Sequence, residues 1–228
     1  MIGIIINSCA VIAGGAIGIL LQKGVSPRIQ TALFQLIGVI TIAMGIEMVC
    51  EMENLIIIVG GLIVGTWLGT WWNLDKQTER LGEWLKRKIR SNNQRFTEGL
   101  VTAFLLFCIG PMTILGGIQE GLGVSRDLIL TKSILDFISS IIFASTFGIG
   151  VIFSVIPLFI IEAALVLGAA SASDFFSPTI ISGITVTGGI MLLALGINML
   201  EIKKISVANM LPSLVVVIFA LWLMENFM

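Results

Sequence analysis

Ser26-Pro27-Arg28-Ile29, followed by Gly38 and then Ala43-Met44-Gly45-Ile46-Glu47-Met48, returns 151 residues later as Ser177-Pro178-Thr179-Ile180, Gly189 and Ala194-Leu195-Gly196-Ile197-Asn198-Met199. The register is kept without a gap. Ser26, Pro27, Ile29, Gly38, Ala43, Gly45, Ile46 and Met48 are all identical to their counterparts. Shared apolar composition does not readily bring a proline and two glycines into step, so the two halves read as copies of one unit. Repeated halves are a recurrent construction in membrane transporters.

The rest of the chain fits that setting. Of 228 residues 57% are hydrophobic and 12% charged, against roughly a quarter charged in soluble domains. Spans of about 20 residues consume nearly all of the length, which marks an integral membrane protein. The net charge of −1 says nothing about nucleic acid or acidic partners, because in such a chain the positions of the charges matter and not their sum. Histidine is absent. Cys9, Cys50 and Cys108 lie singly in apolar surroundings, so they read as small core residues and not as a disulfide or thiolate metal site. The first apolar run has no basic region before it and no small-residue cleavage motif, and reads as a retained helix.

Eight apolar segments follow one another: residues 2–22, 30–50, 54–72, 98–118, 128–147, 150–170, 179–200 and 207–224. Backbone polar groups in lipid must be satisfied within the segment, so these are helices; a barrel would need alternating polarity, which is lacking. Lys23 and Arg28 lie in the first gap, Lys76, Arg80, Lys86, Arg87, Lys88, Arg90 and Arg95 in the third, Lys203 and Lys204 in the seventh. The second, fifth and sixth gaps hold no Lys or Arg, and the fourth holds Arg126. Basic residues collect on the cytoplasmic side. Both termini are therefore expected outside, with the odd gaps cytoplasmic. The first copy then begins with helix one and the second with helix six, an odd displacement that makes the copies cross the membrane in opposite senses. The expected organisation is a single membrane domain: repeat one over 1–72, a basic amphipathic cytoplasmic linker over 73–97, a central hairpin over 98–149 and repeat two over 150–228.

In the linker, Leu74, Leu81, Trp84, Leu85 and Ile89 share a helix face opposite the basic residues, as in a helix lying on an anionic leaflet. Gly14 and Gly18, then Gly61, Gly65 and Gly69, set small residues on single faces at four-residue spacing. Such faces permit close helix approach, within the chain or in a homo-oligomer.

The chemistry is expected between and beside the copies. Helix four carries Gly110-Pro111-Met112-Thr113 and must kink or break, freeing carbonyls, and Gln119 and Glu120 follow at its outer end. Helix five carries Lys132 and Asp136 on one face, with Ser139 and Ser140 a turn further. Helix six carries Glu162 near its centre. An ionisable side chain at mid-membrane costs roughly 2.5–3.5 kcal/mol on insertion scales and is a functional candidate by default. The competing structural readings are a Lys132–Asp136 pair that holds two helices, and a hydrogen-bonded acid at Glu162. Asn7, Glu47 and Asn198 are weaker candidates; the last two are equivalent positions in the repeat and read as helix-end polar groups.

Ile109-Gly110-Pro111-Met112-Thr113-Ile114-Leu115-Gly116, Ile118-Gln119-Glu120-Gly121-Leu122, Lys132-Ser133 with Asp136, and Phe147-Gly148-Ile149-Gly150-Val151 resemble the YqgA/YdfK-like family of uncharacterised bacterial inner-membrane proteins. The opening Ile5-Ile6-Asn7 and the late Gly-Ile-Asn pattern fit as well. What the resemblance implies is a polytopic plasma-membrane protein; it brings no substrate with it.

The fold expected is an all-α bundle of about eight spans, with an inverted repeat of helices 1–3 and 6–8 around a central pair. The function expected is a secondary or passive transporter or channel. A small ion or polar solute would be held by Asp136, Glu162, Ser139, Ser140 and carbonyls around Pro111. The alternative is an oligomeric scaffold or regulatory subunit. No zinc-protease, nucleophile-elbow or phosphate-loop pattern occurs, so neither an enzyme nor a cofactor is expected.

Overall fold

The computed structural model describes residues 1–21, 26–50, 53–88, 94–108 and 110–227. Lys23, Ile89, Arg90 and Ile109, used above, lie outside these, as does the side chain of Lys86. The described residues are helical and contain no strand. In order they form α1 (Ile2–Leu20), α2 (Pro27–Cys50), α3 (Leu55–Trp72), α4 (Leu74–Lys88), α5 (Gln94–Cys108), α6 (Pro111–Gly121), α7 (Asp127–Phe147), α8 (Gly150–Phe153), α9 (Val155–Ser171), α10 (Pro178–Met199) and α11 (Pro212–Phe227). Seven helical segments are long and apolar enough to cross a membrane, or eight if the bent pair α5–α6 is one span. Many of the exposed side chains are large and apolar, among them Ile56, Ile63, Trp67 and Trp71 of α3. Hydrocarbon, not water, is the solvent such faces suit.

The repeated Ser-Pro is a helix start. Ser26 Oγ accepts from the Ile29 amide at 3.4 Å and Ser177 Oγ from the Ile180 amide at 3.2 Å. Pro27 and Pro178 occupy the first helical position, where a missing N–H costs nothing. Both helices therefore begin earlier than their apolar runs at residues 30 and 179 indicate.

The chain forms two compact units. The first comprises Met1–Leu33 and Thr78–Ser171, and here α1 lies along α7 in the same direction. A Cβ at Gly14 would collide with the Phe137 carbonyl and one at Gly18 with the Ile141 carbonyl. Against α8 and α9, α1 runs in the opposite sense, Gly15 meeting Ile152 of α8 and Asn7 meeting Glu162 of α9. Helices α5 and α6 meet at a 54° bend. Gly110 between them is extended (φ −151°, ψ 155°) and Pro111 opens α6. Gly99 of α5 abuts Phe147 near the end of α7, while Phe107 reaches Lys132 nearer its start. Helix α6 runs parallel to α9, with Gly117 on Leu165 and Gly121 on Ala169. The chain keeps its sense through the bend, as in a broken span.

The second unit comprises Phe34–Gln77 and Ala172–Met228. Gly61, Gly65 and Gly69 of α3 abut Val217, Ser213 and Asn209 in descending order, an antiparallel seam without room for a Cβ. Both glycine seams thus lie within the chain. Helices α2 and α10 also cross antiparallel. A Cβ on Gly45 would lie 2.8 Å from the Gly189 carbonyl oxygen and one on Gly189 2.9 Å from that of Gly45. Gly38 and Gly196 repeat the relation at 3.2 and 2.8 Å. Asn198 closes the loop after α10, its amide nitrogen donating to the Ile205 carbonyl at 2.7 Å and its oxygen accepting from the Ile205 amide at 2.6 Å. Of the cysteines Cys108 is buried, whereas Cys9 and Cys50 stand on exposed faces instead of in a core. An apolar helix has too many Cys-sized positions toward lipid for residue type alone to decide.

Candidate functional site

The buried stripe of α1 is Gly3, Ile4, Asn7, Val11, Gly14, Gly15 and Gly18. Spacings of three and four put these on one face. Because the glycines allow the α7 backbone to come close, Asn7 is delivered to the middle of that helix. There its Nδ2 donates to Asp136 Oδ2 at 3.1 Å and to Glu162 Oε1 of α9 at 2.8 Å. Lys132, one turn before Asp136, donates to the same Oδ2 and lies 3.7 Å from Glu162 Oε1. Its ammonium is also 5.9 Å from the centre of the Phe107 ring at the end of α5, within reach of the attraction between a cation and a ring face. Asn7 and Glu162 are 0% exposed, Lys132 3% and Asp136 6%.

Two carboxylates, one ammonium and one amide are thus sealed between α1, α7 and α9. Burying such charges costs several kcal/mol per ion unless pairing and hydrogen bonds offset it. The amide spends both its hydrogens on the two acids. Asn7 Oδ1 and Glu162 Oε2 remain buried without a hydrogen-bond partner.

Glu120, at the end of α6, forms a second polar point one turn along α1. Its Oε1 accepts from the Gly3 amide at 2.8 Å and from the Met1 ammonium at 2.7 Å, with Arg126 Nε at 3.8 Å. Gln119 beside it is buried, and its carbonyl accepts from the Val124 amide. At the α5–α6 break, Thr113 Oγ1 donates to the Phe107 carbonyl at 2.7 Å, and the Gly110 carbonyl accepts from the amides of Thr113 and Ile114. The Phe107 and Gly110 carbonyls beside Pro111 are therefore satisfied locally, through Thr113 and the Ile114 amide. Ser139 and Ser140 are buried a turn beyond Asp136. Ser140 lies under Gly14, with its hydroxyl unpartnered. So Lys132, Asp136 and Glu162 come together; Gln119 and Glu120 form a separate group, and the break and the two serines flank the cluster. A separate apolar cleft of about 260 Å³ under α4 is lined by Leu85, Leu100, Phe104, Phe153 and Pro157 among others.

Asn7 is the member that sequence reasoning weighed too lightly. Its signal was an amide on the small-residue stripe of an otherwise apolar helix.

The whole-chain comparisons agree with the resemblance read from the motifs. The model of the family described as "Protein of unknown function (DUF554)" matches residues 2–222. The chain belongs to this family. Among its relatives are the "Uncharacterized membrane protein YdfK" of Bacillus subtilis (strain 168), 36% identical over 220 residues covering 95% of this chain and 93% of that protein, and the "Uncharacterized protein YqgA" of Escherichia coli (strain K12), 31% identical over 219 residues covering 94% and 93%. No solved structure matches it. For this DUF554 member the membrane setting, which the description of YdfK also states, is what the comparison supplies, and any activity has to be argued from the cluster.

Proposed function

We propose that this DUF554 protein is a secondary or passive transporter or channel for a small ion or polar solute, with the Asn7–Lys132–Asp136–Glu162 cluster on its path. The observation that carries the reading is the assembly of opposed buried charges from two spans, α7 and α9, bridged by an amide from a third, α1. A purely mechanical clasp needs one acid for one base, and the second acid is surplus to it. Ionisable groups gathered inside a bundle mark ion or proton pathways far more often than they serve packing.

The repeat supports a two-state device. Residues 38 and 45 of α2 correspond to 189 and 196 of α10 at the offset seen in the sequence. The α2–α10 crossing pairs Gly38 with Gly196 and Gly45 with Gly189, so exchanging the copies leaves the pairing unchanged. An antiparallel crossing of equivalent helices is what an inverted repeat requires, and such repeats commonly underlie alternating access. We propose with it a bacterial plasma-membrane location, both termini outside and residues 73–97 cytoplasmic. Helix α4 fits that side: Leu81 and Trp84 remain exposed, and the Lys88 ammonium sits 4.6 Å over the Trp84 ring.

An oligomeric scaffold is the second reading. The direct Lys132–Asp136 pair favours it, while the glycine faces, occupied within the chain, leave any oligomer to other surfaces. Purified protein in liposomes, assayed for uptake of Na⁺, H⁺, divalent metals and amino acids, separates the two. Flux of one solute class that Asp136→Asn abolishes is expected. Absence of flux for every class overturns the transport reading, and flux indifferent to Asp136→Asn removes Asp136 from the path.

A further inference from the structure

We infer that the buried cluster binds one proton and that Glu162 is the carboxyl that carries it, against the amide of Asn7. The first ground is charge. Lys132 contributes one positive charge and Asp136 and Glu162 two negative ones, in a place sealed from water by α1, α7 and α9. One further positive charge closes the balance. Among the described residues there is no group of three or more His, Cys, Asp or Glu suited to a metal ion, and an ammonium already stands 3.7 Å from Glu162 Oε1. A metal cation would be repelled there; a proton needs only one lone pair.

The second ground is the pattern of donors and acceptors. An ionised carboxylate accepts only, and a protonated one also donates. Asp136 has two donors on one oxygen, the Lys132 ammonium and Asn7 Nδ2, so it stays the ionised partner of the pair. Glu162 has the Asn7 amide on Oε1 and nothing on Oε2, while Asn7 has nothing on Oδ1. A proton on Oε2 gives Glu162 a donor, and the idle Asn7 Oδ1 is an acceptor belonging to the same side chain that already holds Oε1. Acid and amide then match as a reciprocal pair, N–H to one carboxyl oxygen and O–H to the amide oxygen. Buried polar atoms without partners are rare, and one proton accounts for both.

The other groups around Glu162 do not supply that charge. Helix α7 presents Lys132 and Asp136, α5 the Cys108 thiol, α1 the neutral Asn7. The titratable group of α6 is Glu120, held by the Gly3 amide, and α8 has none. Only the Oε2–H bond forms on loading and breaks on release. On release, Glu162 becomes a second claimant for Lys132, so proton loss and movement of the ammonium between the two acids are linked.

The inference deepens the transport reading and rests on it for its purpose, but its test reads the proton and not flux, so either can fail alone. The full chain in phospholipid nanodiscs is examined by infrared spectroscopy at neutral pH, where exposed carboxyls are ionised. One protonated-carboxyl band per chain is expected. It shifts when glutamate side-chain carboxyls carry ¹³C and stays when aspartate carboxyls do, so the assignment needs no mutant. Glu162→Gln and Asp136→Asn each leave a one-to-one pair with Lys132 and should each abolish the band, whereas Lys132→Met should double it. No such band, a band moved by the aspartate label, or a band that survives Glu162→Gln overturns the assignment.

Discussion

Gly45 and Gly189 each face the other's carbonyl oxygen, at 2.8 and 2.9 Å from where a Cβ would stand. Neither position has space for a side chain, because the obstructing atom is backbone and cannot rotate away. Gly45→Leu and Gly189→Leu should therefore each destabilise the second unit. Overpacking typically costs about 1–3 kcal/mol, and the rigid obstacle argues for the upper end. Gly60 of α3, with nothing within 4 Å, is the control, and Gly60→Ala should be neutral or slightly stabilising. Thermal unfolding in detergent compares the three. A Gly45→Leu protein that melts with the wild type would show that the helices do not cross there.

Asn7 is, among the described residues, the side-chain amide that bonds both acids. Asn7→Leu removes the donor to both and leaves Glu162 Oε1 with Lys132 at 3.7 Å as its remaining polar neighbour. Loss of donors to a buried carboxyl costs about 1–3 kcal/mol, more where the group is charged. Asn7→Asp adds a third acid facing one ammonium and should be worse. Melting temperatures should fall in the order wild type, Asn7→Leu, Asn7→Asp; equal values for all three would remove Asn7 from the cluster.

The spans were legible because lipid leaves the backbone little choice: residues 54–72 became Leu55–Trp72 and residues 128–147 became Asp127–Phe147. The break in the fourth span was legible from Pro111, whose ring and missing N–H cannot continue α5. Helix starts were less so. Counting apolar residues missed that Ser26 and Ser177 cap helices opened by the prolines after them. Within the site, Lys132, Asp136 and Glu162 stood out because a charge in hydrocarbon is costly whatever its neighbours. Asn7 is neutral, and its weight depends on which helix α1 lies against. Gly14 and Gly18 announced a close seam but could not name α7 as its other side. Glu120 likewise gave no hint that its partner is the Gly3 amide.

Lys132 and Asp136 test whether the pair is held for stability. Removing one member of a buried pair costs ~3–5 kcal/mol, whereas replacing both by apolar residues is often neutral. Lys132→Met alone should destabilise strongly, and Lys132→Met with Asp136→Leu should recover part of that loss while abolishing any flux. A double-mutant cycle on unfolding free energies measures the coupling. Additive effects would mean the two groups do not interact in the membrane.

Thr113 holds the bend. Its hydroxyl donates to the Phe107 carbonyl at 2.7 Å, which keeps that carbonyl satisfied where α5 stops. Thr113→Val keeps the shape and removes the donor, so a loss of about 1 kcal/mol is expected. Thr113→Ser should restore most of it. Unfolding of the three proteins distinguishes this from a role of the methyl group, which Val preserves and Ser lacks.

Arg28 and Thr179 occupy equivalent places, one residue after Pro27 and Pro178. If the copies cross the membrane in opposite senses, these two residues face opposite compartments even though their local structures are the same capped helix start. Single cysteines there, in a protein whose Cys9, Cys50 and Cys108 are replaced by Ala, can be labelled in intact cells with a reagent that does not permeate. The Thr179→Cys protein should label from outside and the Arg28→Cys protein only after the membrane is opened. Lys203 sits in the gap after α10, where a basic cluster should again be cytoplasmic, and Lys203→Cys should behave like Arg28→Cys. Labelling of both Arg28→Cys and Thr179→Cys from the same side would contradict the antiparallel α2–α10 crossing, and the exchange of two states through the repeat would have no basis.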